Sequence, residues 1–412
     1  MTRLSRRGRR LVDNPPVSKY LQEHFARLSA PYDASARPAG YIPLCVAENN
    51  LVGDLLLPEL EKKRALPESV LAYDHMTGSV AFREKLARFF AERVFGRTFA
   101  TNQIAVLAGA GCVLEILFHA IADPGDGVLV PTPSYAGFWP DLETRDELRI
   151  IPVHGSPGDG ARLTAERLDR ALSEADCPVR ALLLTSPDNP TGYVYSAAEL
   201  HEVISWCLAR DLHLVMDEIY ALSVFGSQPF VSAATLVPSL GDSIHLVWAF
   251  SKDFAASGLR AGVLVSENQD VLTVVDGLAY WACCSGHTQF VLGEMISDET
   301  FVNRYVGEMQ ARLGKSYRAV CDALSTHGIE YFRSDAGFFL LLDLRRFLKT
   351  ASWEAEHELW LFLLARTNVS LTPGSACRIA EPGFMRLCFA AVPLEVAVVG
   401  VEKIGRALAD RQ

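Results

Sequence analysis

The chain has 412 residues, of which 50% are hydrophobic and 21% are charged, which is enough for a large core and two domains. The formal net charge of −10 argues against a general nucleic-acid binder, and no apolar run approaches the roughly 18 residues that a membrane span needs. The nine cysteines form no CxxC pair, which argues against a zinc site. We therefore expect a cytoplasmic protein that uses no metal and binds neither nucleic acid nor a membrane.

The first 40 residues mix charged residues with prolines and predict an arm with one short helix near 19–28. Its arginine-rich start is not followed by an apolar run, so we do not expect a signal peptide. A short apolar stretch at 41–46 then leads to Ala47 and Glu48. By residue type alone, Glu48 is typical of a solvated loop carboxylate.

A strand–turn–helix unit follows, with a strand predicted at 103–107 and a helix at 112–122. Between them lie the small residues Ala110, Gly111 and Cys112. Backbone amides at such a helix start suit a phosphate group, so this turn is a candidate phosphate site.

Two tyrosines lie on either side of that unit. Tyr73 is in a turn before a predicted helix at 79–94, and Tyr135 follows a predicted strand at 127–130. By residue type alone, a packed loop residue and a core aromatic are the alternatives to a functional role.

Two further predicted strands end in polar residues. The strand at 181–185 leads into an Asn-Pro-Thr-Gly turn that contains Asn189. The strand at 212–215 leads to Asp217 and Tyr220, which places a carboxylate at a strand tip.

The apolar run at 246–250 is followed at once by Ser251 and Lys252, and Arg260 comes eight residues later. A lysine at the end of a buried strand is costly to keep charged and unpaired, which favours a neutral, nucleophilic amine. Such an amine can form a Schiff base, and Arg260 would supply a fixed positive charge for a phosphate. A surface lysine after a strand is the alternative.

The character of the chain changes near residue 299, where a long helix at 301–324 begins. Strands are predicted near 337–342 and 385–389, and Arg386 lies on the second of them. Its guanidinium matches a substrate carboxylate bidentately; a salt bridge at the surface is the alternative.

Taken in order, these motifs resemble the fold-type I pyridoxal 5'-phosphate (PLP) enzymes of the class I/II aminotransferase family. Within that family the chain looks most like 1-aminocyclopropane-1-carboxylate (ACC) synthases. The segments that carry this likeness include Ala47-Glu48-Asn49, Thr132-Pro133-Ser134-Tyr135, Ser251-Lys252-Asp253 and Thr372-Pro373-Gly374-Ser375.

The resemblance implies an α/β fold with a mostly parallel seven-stranded sheet flanked by helices, plus a smaller α+β domain. Residues 1–55 would form the arm and part of the small domain, residues 56–298 the large PLP-binding domain, and residues 299–412 the small C-terminal domain. Active sites would be shared across a homodimer.

The resemblance also implies catalytic roles for Lys252, Asp217 and Tyr220. Lys252 would hold PLP as a Schiff base and then act as general base, and Asp217 would keep the pyridine nitrogen protonated. Tyr220 and Asn189 would bind the ring oxygen, and Tyr135 would stack on the ring. The phosphate would lie among Ala110, Gly111, Cys112, Ser251 and Arg260, with Tyr73 reaching it from the partner subunit.

An amino-acid substrate would place its carboxylate on Arg386. Ala47, Glu48, Tyr135 and Asn189 would complete the substrate site. The family usually has a serine three residues before the lysine, where this chain has Ala249. This departure implies a different phosphate pocket.

All enzymatic readings share an external aldimine and an α-carbanion or quinonoid. The favoured reaction is γ-elimination or γ-replacement on S-adenosylmethionine or a similar γ-activated amino acid, by ring closure or by coupling to a second substrate, as in natural-product biosynthesis. The alternatives are transamination to a 2-oxo acid and C–S cleavage of a cysteine conjugate. A non-enzymatic regulator of this fold would be expected to lose Lys252 or Asp217.

Overall fold

A computed structural model describes residues 4–62, 64–155 and 162–411. In chain order its strands are β1 Ile42–Pro43, β2 Ile104–Leu107, β3 Gly127–Thr132, β4 Arg149–His154, β5 Val179–Thr185, β6 His213–Asp217, β7 Ile244–Ala249, β8 Gly262–Ser266, β9 Glu330–Tyr331, β10 Phe339–Asp343, β11 Val369–Ser370, β12 Thr372–Pro373 and β13 Phe384–Cys388. Its α-helices are α1 Arg6–Asp13, α2 Lys19–Arg27, α3 Gly53–Leu60, α4 Val80–Phe89, α5 Ala110–Ile121, α6 Phe138–Glu143, α7 Ala165–Glu174, α8 Ala197–Leu208, α9 Phe250–Asp253, α10 Gln269–Leu278, α11 Gly286–Ser297, α12 Glu299–Thr326, α13 Trp353–Thr367 and α14 Leu394–Ala409.

Seven strands form the main sheet, in the order β2-β8-β7-β6-β5-β3-β4. Only β8 runs antiparallel to its neighbours. The central strands are apolar runs buried along nearly their whole length, as expected for parallel strands covered on both faces. The predicted α/β fold is confirmed.

The carboxyl ends of β5, β6 and β7 meet at one edge of this sheet because the three strands are parallel neighbours. Thr185, Asp217 and Ala249 end these strands. Ligands of open α/β sheets bind at this edge, so the topology alone gathers three of the sequence motifs.

A second, antiparallel sheet has the order β12-β13-β10-β9, and β1 pairs in parallel with β11. The residue pair Ile42 and Val369 therefore joins the N-terminal segment to the last third of the chain. The domain boundaries at 55/56 and 298/299 stay predictions.

Local signals agree with the observed elements, with two differences. Ser196 and Glu199 form a capping box at the start of α8. The helix predicted at 79–94 is α4 followed by a π-helical turn, Phe90–Val94. Lys252 lies in the single turn of α9 rather than at the tip of β7 itself. Among the described residues, no helix has both the length and the apolar character needed to cross a bilayer.

Candidate active site

Lys252 lies at the carboxyl edge of the main sheet, where it lines a cavity of about 230 Å³. Its Nζ donates a hydrogen bond to the main-chain oxygen of Ala47 at 2.6 Å. The pKa of Lys252 is lowered to about 8, chiefly by burial and also by the Arg386 guanidinium, against the opposing effects of the Cys388 thiol, Glu48 and Asp217. A larger fraction of the amine is therefore unprotonated near neutral pH than in an ordinary lysine, and the unprotonated form is the nucleophile.

Asp217 ends β6 on the same cavity wall and is 6% exposed. Burial raises the pKa of its carboxyl to about 7, although the Ile219 N–H donates to Oδ1 at 3.3 Å. An uncompensated buried carboxyl of this kind would ionise fully beside a cationic ring nitrogen.

Asn189, Tyr220 and Arg386 form one buried polar cluster. The Arg386 Nη1 donates to Asn189 Oδ1 at 2.9 Å, and Asn189 Nδ2 donates to the Tyr220 hydroxyl at 3.4 Å. Arg386 is 2% exposed, and its Nη2 donates to the Cys45 oxygen at 2.6 Å and to Thr372 Oγ1 at 3.1 Å. This network holds the guanidinium fork in one orientation.

The opposite end of the cavity is built from the start of α5. Ala110, Gly111, Ser251 and Arg260 line it. Gly109 has φ 95°, and a Cβ added there would lie 2.4 Å from Arg260 Nη2. The glycine is therefore required for the guanidinium to approach the free N–H groups of the helix, an arrangement that suits an anion.

Tyr135 also lines the cavity, with its ring in contact with the Gly137 backbone and edge-on to Phe138 at a centroid distance of 5.3 Å. Glu48 is exposed at the mouth, where its charge acts on Lys252. Ala47 is buried and bonded to Lys252.

Five predicted site residues do not line this cavity: Ala47, Glu48, Tyr73, Cys112 and Arg386. Ala47 and Arg386 are joined to it by their hydrogen bonds to Lys252 and Asn189. Cys112 lies in the first turn of α5 but does not line it. Tyr73 is 92% exposed and lines a separate cavity of about 310 Å³ together with Gln289. Residues 283–286 line the same 310 Å³ cavity.

The structure adds residues that the sequence reasoning missed. Asp141 of α6 lines the cavity, and burial raises the pKa of its carboxyl to about 6. Thr185 lines it beside Asp217, and Thr372 binds Arg386. Tyr20 of the arm is buried near enough to Arg386 for that charge to act on the pKa of its hydroxyl. Thr185 and Thr372 are part of, or next to, sequence motifs described above. No sequence motif near Tyr20 or Asp141 predicted a place in the site.

The residues present fit PLP. Arg386 Nε is buried and has no hydrogen-bond partner within the described ranges. Buried polar atoms are normally satisfied, so this donor indicates a polar ligand that completes the site. Lys252 would hold the cofactor, Asp217 would face its ring nitrogen, and Arg260 with the α5 start would face its phosphate.

Comparisons with known proteins agree with this geometry. Residues 40–404 match the family described as aminotransferase class I and II. The chain is 33% identical over 395 residues to 1-aminocyclopropane-1-carboxylate synthase 7 of Arabidopsis thaliana, covering 91% of this chain and 88% of that protein. It is 34% identical over 416 residues to 1-aminocyclopropane-1-carboxylate synthase 4 of Oryza sativa subsp. japonica, covering 91% and 84%.

Solved structures share the fold at lower identity. An aspartate aminotransferase from Thermus thermophilus with maleate superposes with a TM-score of 0.81 at 22% identity, covering 99% of this chain and 100% of that one. A structure described as Pyrococcus protein-A1 gives 0.83 at 21% identity, covering 98% and 99%. The chain therefore belongs to the aminotransferase class I and II family, as an enzyme of fold type I whose cofactor is pyridoxal 5'-phosphate.

Proposed function

We propose that this enzyme acts on an amino acid with a leaving group on its γ-carbon, with S-adenosylmethionine as the first candidate. One contact carries the proposal: the hydrogen bond from Lys252 to Ala47 draws the ACC synthase-like segment Ala47-Glu48 to the catalytic amine. The identity to ACC synthases across 91% of the chain supports the same reading.

Each group has a task that follows from its position. Arg386, fixed by Asn189 and Thr372, binds the substrate carboxylate as a bidentate fork. Lys252, with its lowered pKa of about 8, removes the α-proton once its amine is free. When bound, PLP withdraws electrons from the substrate α-carbon.

Glu48 would set the preference for a cationic leaving group. Its carboxylate is exposed at the mouth yet close enough to raise the pKa of Lys252. A sulfonium on the γ-carbon carries a positive charge, which this carboxylate attracts as the substrate enters. An amino acid with a neutral side chain would not be attracted by the Glu48 carboxylate.

The test is release of methylthioadenosine from S-adenosylmethionine by the holoenzyme, followed by mass analysis of the other product. We expect release by the wild-type enzyme and none by Lys252→Ala. Glu48→Gln keeps the shape and removes the charge, and should raise KM for S-adenosylmethionine about three- to tenfold. Formation of pyridoxamine phosphate with ordinary amino acids, and no methylthioadenosine, would make the enzyme an aminotransferase; cleavage of a cysteine conjugate would make it a C–S lyase.

The proposal includes a homodimer in which Tyr73 of the partner subunit reaches the cofactor phosphate. Tyr73 is 92% exposed, and Leu71, Tyr280 and Trp281 are also large, exposed hydrophobic side chains. Burial of such side chains against a second subunit would remove their apolar surface from water. Sedimentation should give a dimer, and mixing Tyr73→Phe with Lys252→Ala subunits should restore part of the activity if sites are shared.

A further inference from the structure

A third cavity, of about 720 Å³, lies next to the cavity around Lys252. We call it the arm cavity. Its walls come from the N-terminal arm, from α6 and α13, and from the segment after β12. Tyr135 lines both cavities, so its ring separates the two spaces. The arm cavity is about three times as large as the space around Lys252 and is not needed to hold PLP.

Positive charge dominates the polar side chains of the arm cavity. The Lys19 Nζ donates to His357 Nε2 at 3.1 Å, and neither Lys19 nor Arg378 forms an ion pair with a carboxylate within the described ranges. The third cation, Arg10, is neutralised by Glu147 at 2.9 Å. Among the described residues that line the cavity, Glu143 carries the one carboxylate; it is exposed, and the Arg378 charge acts on it without an ion pair at contact distance.

Flat aromatic surfaces accompany these charges. The Arg378 guanidinium lies 5.1 Å from the centroid of the buried Trp139 ring. The His357 ring stacks on Trp360 at 5.7 Å. Arg378 adopts φ 53°, a left-handed conformation that is unfavourable for a non-glycine residue. The chain thus holds a cation over an aromatic ring without a carboxylate at ion-pair distance among the described residues.

We infer that the arm cavity binds a flat organic anion, a carboxylate or phosphate attached to a ring, between Arg378 and Lys19. The further step, in which this anion is the second reactant of a γ-replacement, rests on the proposed function. The two cavities therefore favour ligands of opposite charge. Glu48 favours a cationic substrate at Lys252, and Arg378 favours an anion on the other side of Tyr135.

The replacement balances without an oxidant or reductant. The bond from the γ-carbon to sulfur breaks with its electron pair on sulfur, which neutralises the sulfonium and frees methylthioadenosine. A nucleophilic atom of the anion supplies the pair for the new bond to the γ-carbon, and its proton passes to solvent.

Calorimetric titration of the holoenzyme with two matched pairs of probes tests the site: adenosine 5'-monophosphate against adenosine, and benzoate against benzyl alcohol. We expect at least one anion to bind about tenfold or more tightly than its neutral partner. The nucleotide alone would identify phosphate, and benzoate alone a carboxylate. Equal affinities within both pairs would overturn the inference.

Arg378→Gln should abolish the preference for the anion, and Lys19→Gln should reduce it. Arg170→Gln, on an exposed turn of α7 and paired only with Glu166, is the matched control and should leave it unchanged. An anion preference that survives in Arg378→Gln would place the anion at Arg386 and overturn the inference. Methylthioadenosine release is measured in parallel, so that failure of the proposed function is distinguished from failure of the anion site.

Discussion

The Lys252 amine and the Ala47 carbonyl, 205 residues apart in the chain, form a hydrogen bond of 2.6 Å. The contact brings the segment at the mouth of the site onto the residue that carries the chemistry. Glu48, the residue after Ala47, also acts on this amine, since its charge raises the pKa of Lys252 against the lowering effect of burial.

Replacement of Lys252 by alanine should remove the imine absorbance of the holoenzyme and lower turnover by about a hundred- to ten-thousandfold. The reason is that no other amine lines the cavity within the described ranges. An absorbance spectrum with PLP and a turnover assay measure both effects. Normal turnover in this variant would contradict the assignment of Lys252.

The rate at which the apoenzyme captures PLP should rise with pH and level off above about pH 8. Only the unprotonated amine attacks the aldehyde, and the pKa of Lys252 is lowered from its ordinary value to about 8. The appearance of imine absorbance after mixing measures the rate. A rate that stays flat from about pH 7 to about pH 9 would contradict the lowered pKa.

Asp217→Asn should stabilise the apoenzyme while lowering turnover. The pKa of Asp217 is raised by burial to about 7, so its carboxyl binds more protons in the folded state than in the unfolded one, and stability falls as pH rises from about 4 to about 7. Asp217→Asn removes the carboxyl, so the stability of the variant does not fall with pH for this reason. Thermal unfolding of apoenzyme should show its advantage growing over that range; an advantage confined to acid pH would contradict the argument.

Gly109→Ala should weaken PLP binding about tenfold or more, because the new Cβ would lie 2.4 Å from the Arg260 guanidinium. Gly125→Ala is the matched control. Its φ is also positive (92°, against 95° at Gly109), but a Cβ added there meets no described atom within 4 Å. Both variants should lose some stability, but only the first should lose cofactor affinity in a titration of the apoenzyme. Equal affinity losses would show a general backbone effect.

Motif order predicted the fold and most of the cavity because the decisive residues follow apolar strand runs. Asp217, Asn189 and Lys252 each come after such a run, and the parallel sheet brings their strand ends together. The sequence could not reveal Tyr20 or Asp141 in the same way. Their positions depend on how the arm and α6 pack, which leaves no periodic signal in the chain.

Tyr73 illustrates the opposite case. The family resemblance led to a prediction that it acts in a second subunit, and the single chain leaves it 92% exposed, outside the cavity around Lys252. The role of Tyr73 and the other residue assignments stay predictions until the variants are measured.

The pairing of β1 with β11, and the bond from Arg386 to the Cys45 oxygen across 341 residues, have a consequence for biosynthesis. During translation the lysine-bearing sheet emerges long before Arg386 does. A nascent chain can therefore form its main sheet before β11 and Arg386 have been synthesised. The complete pocket is therefore assembled only after the segment that carries Arg386 has been synthesised.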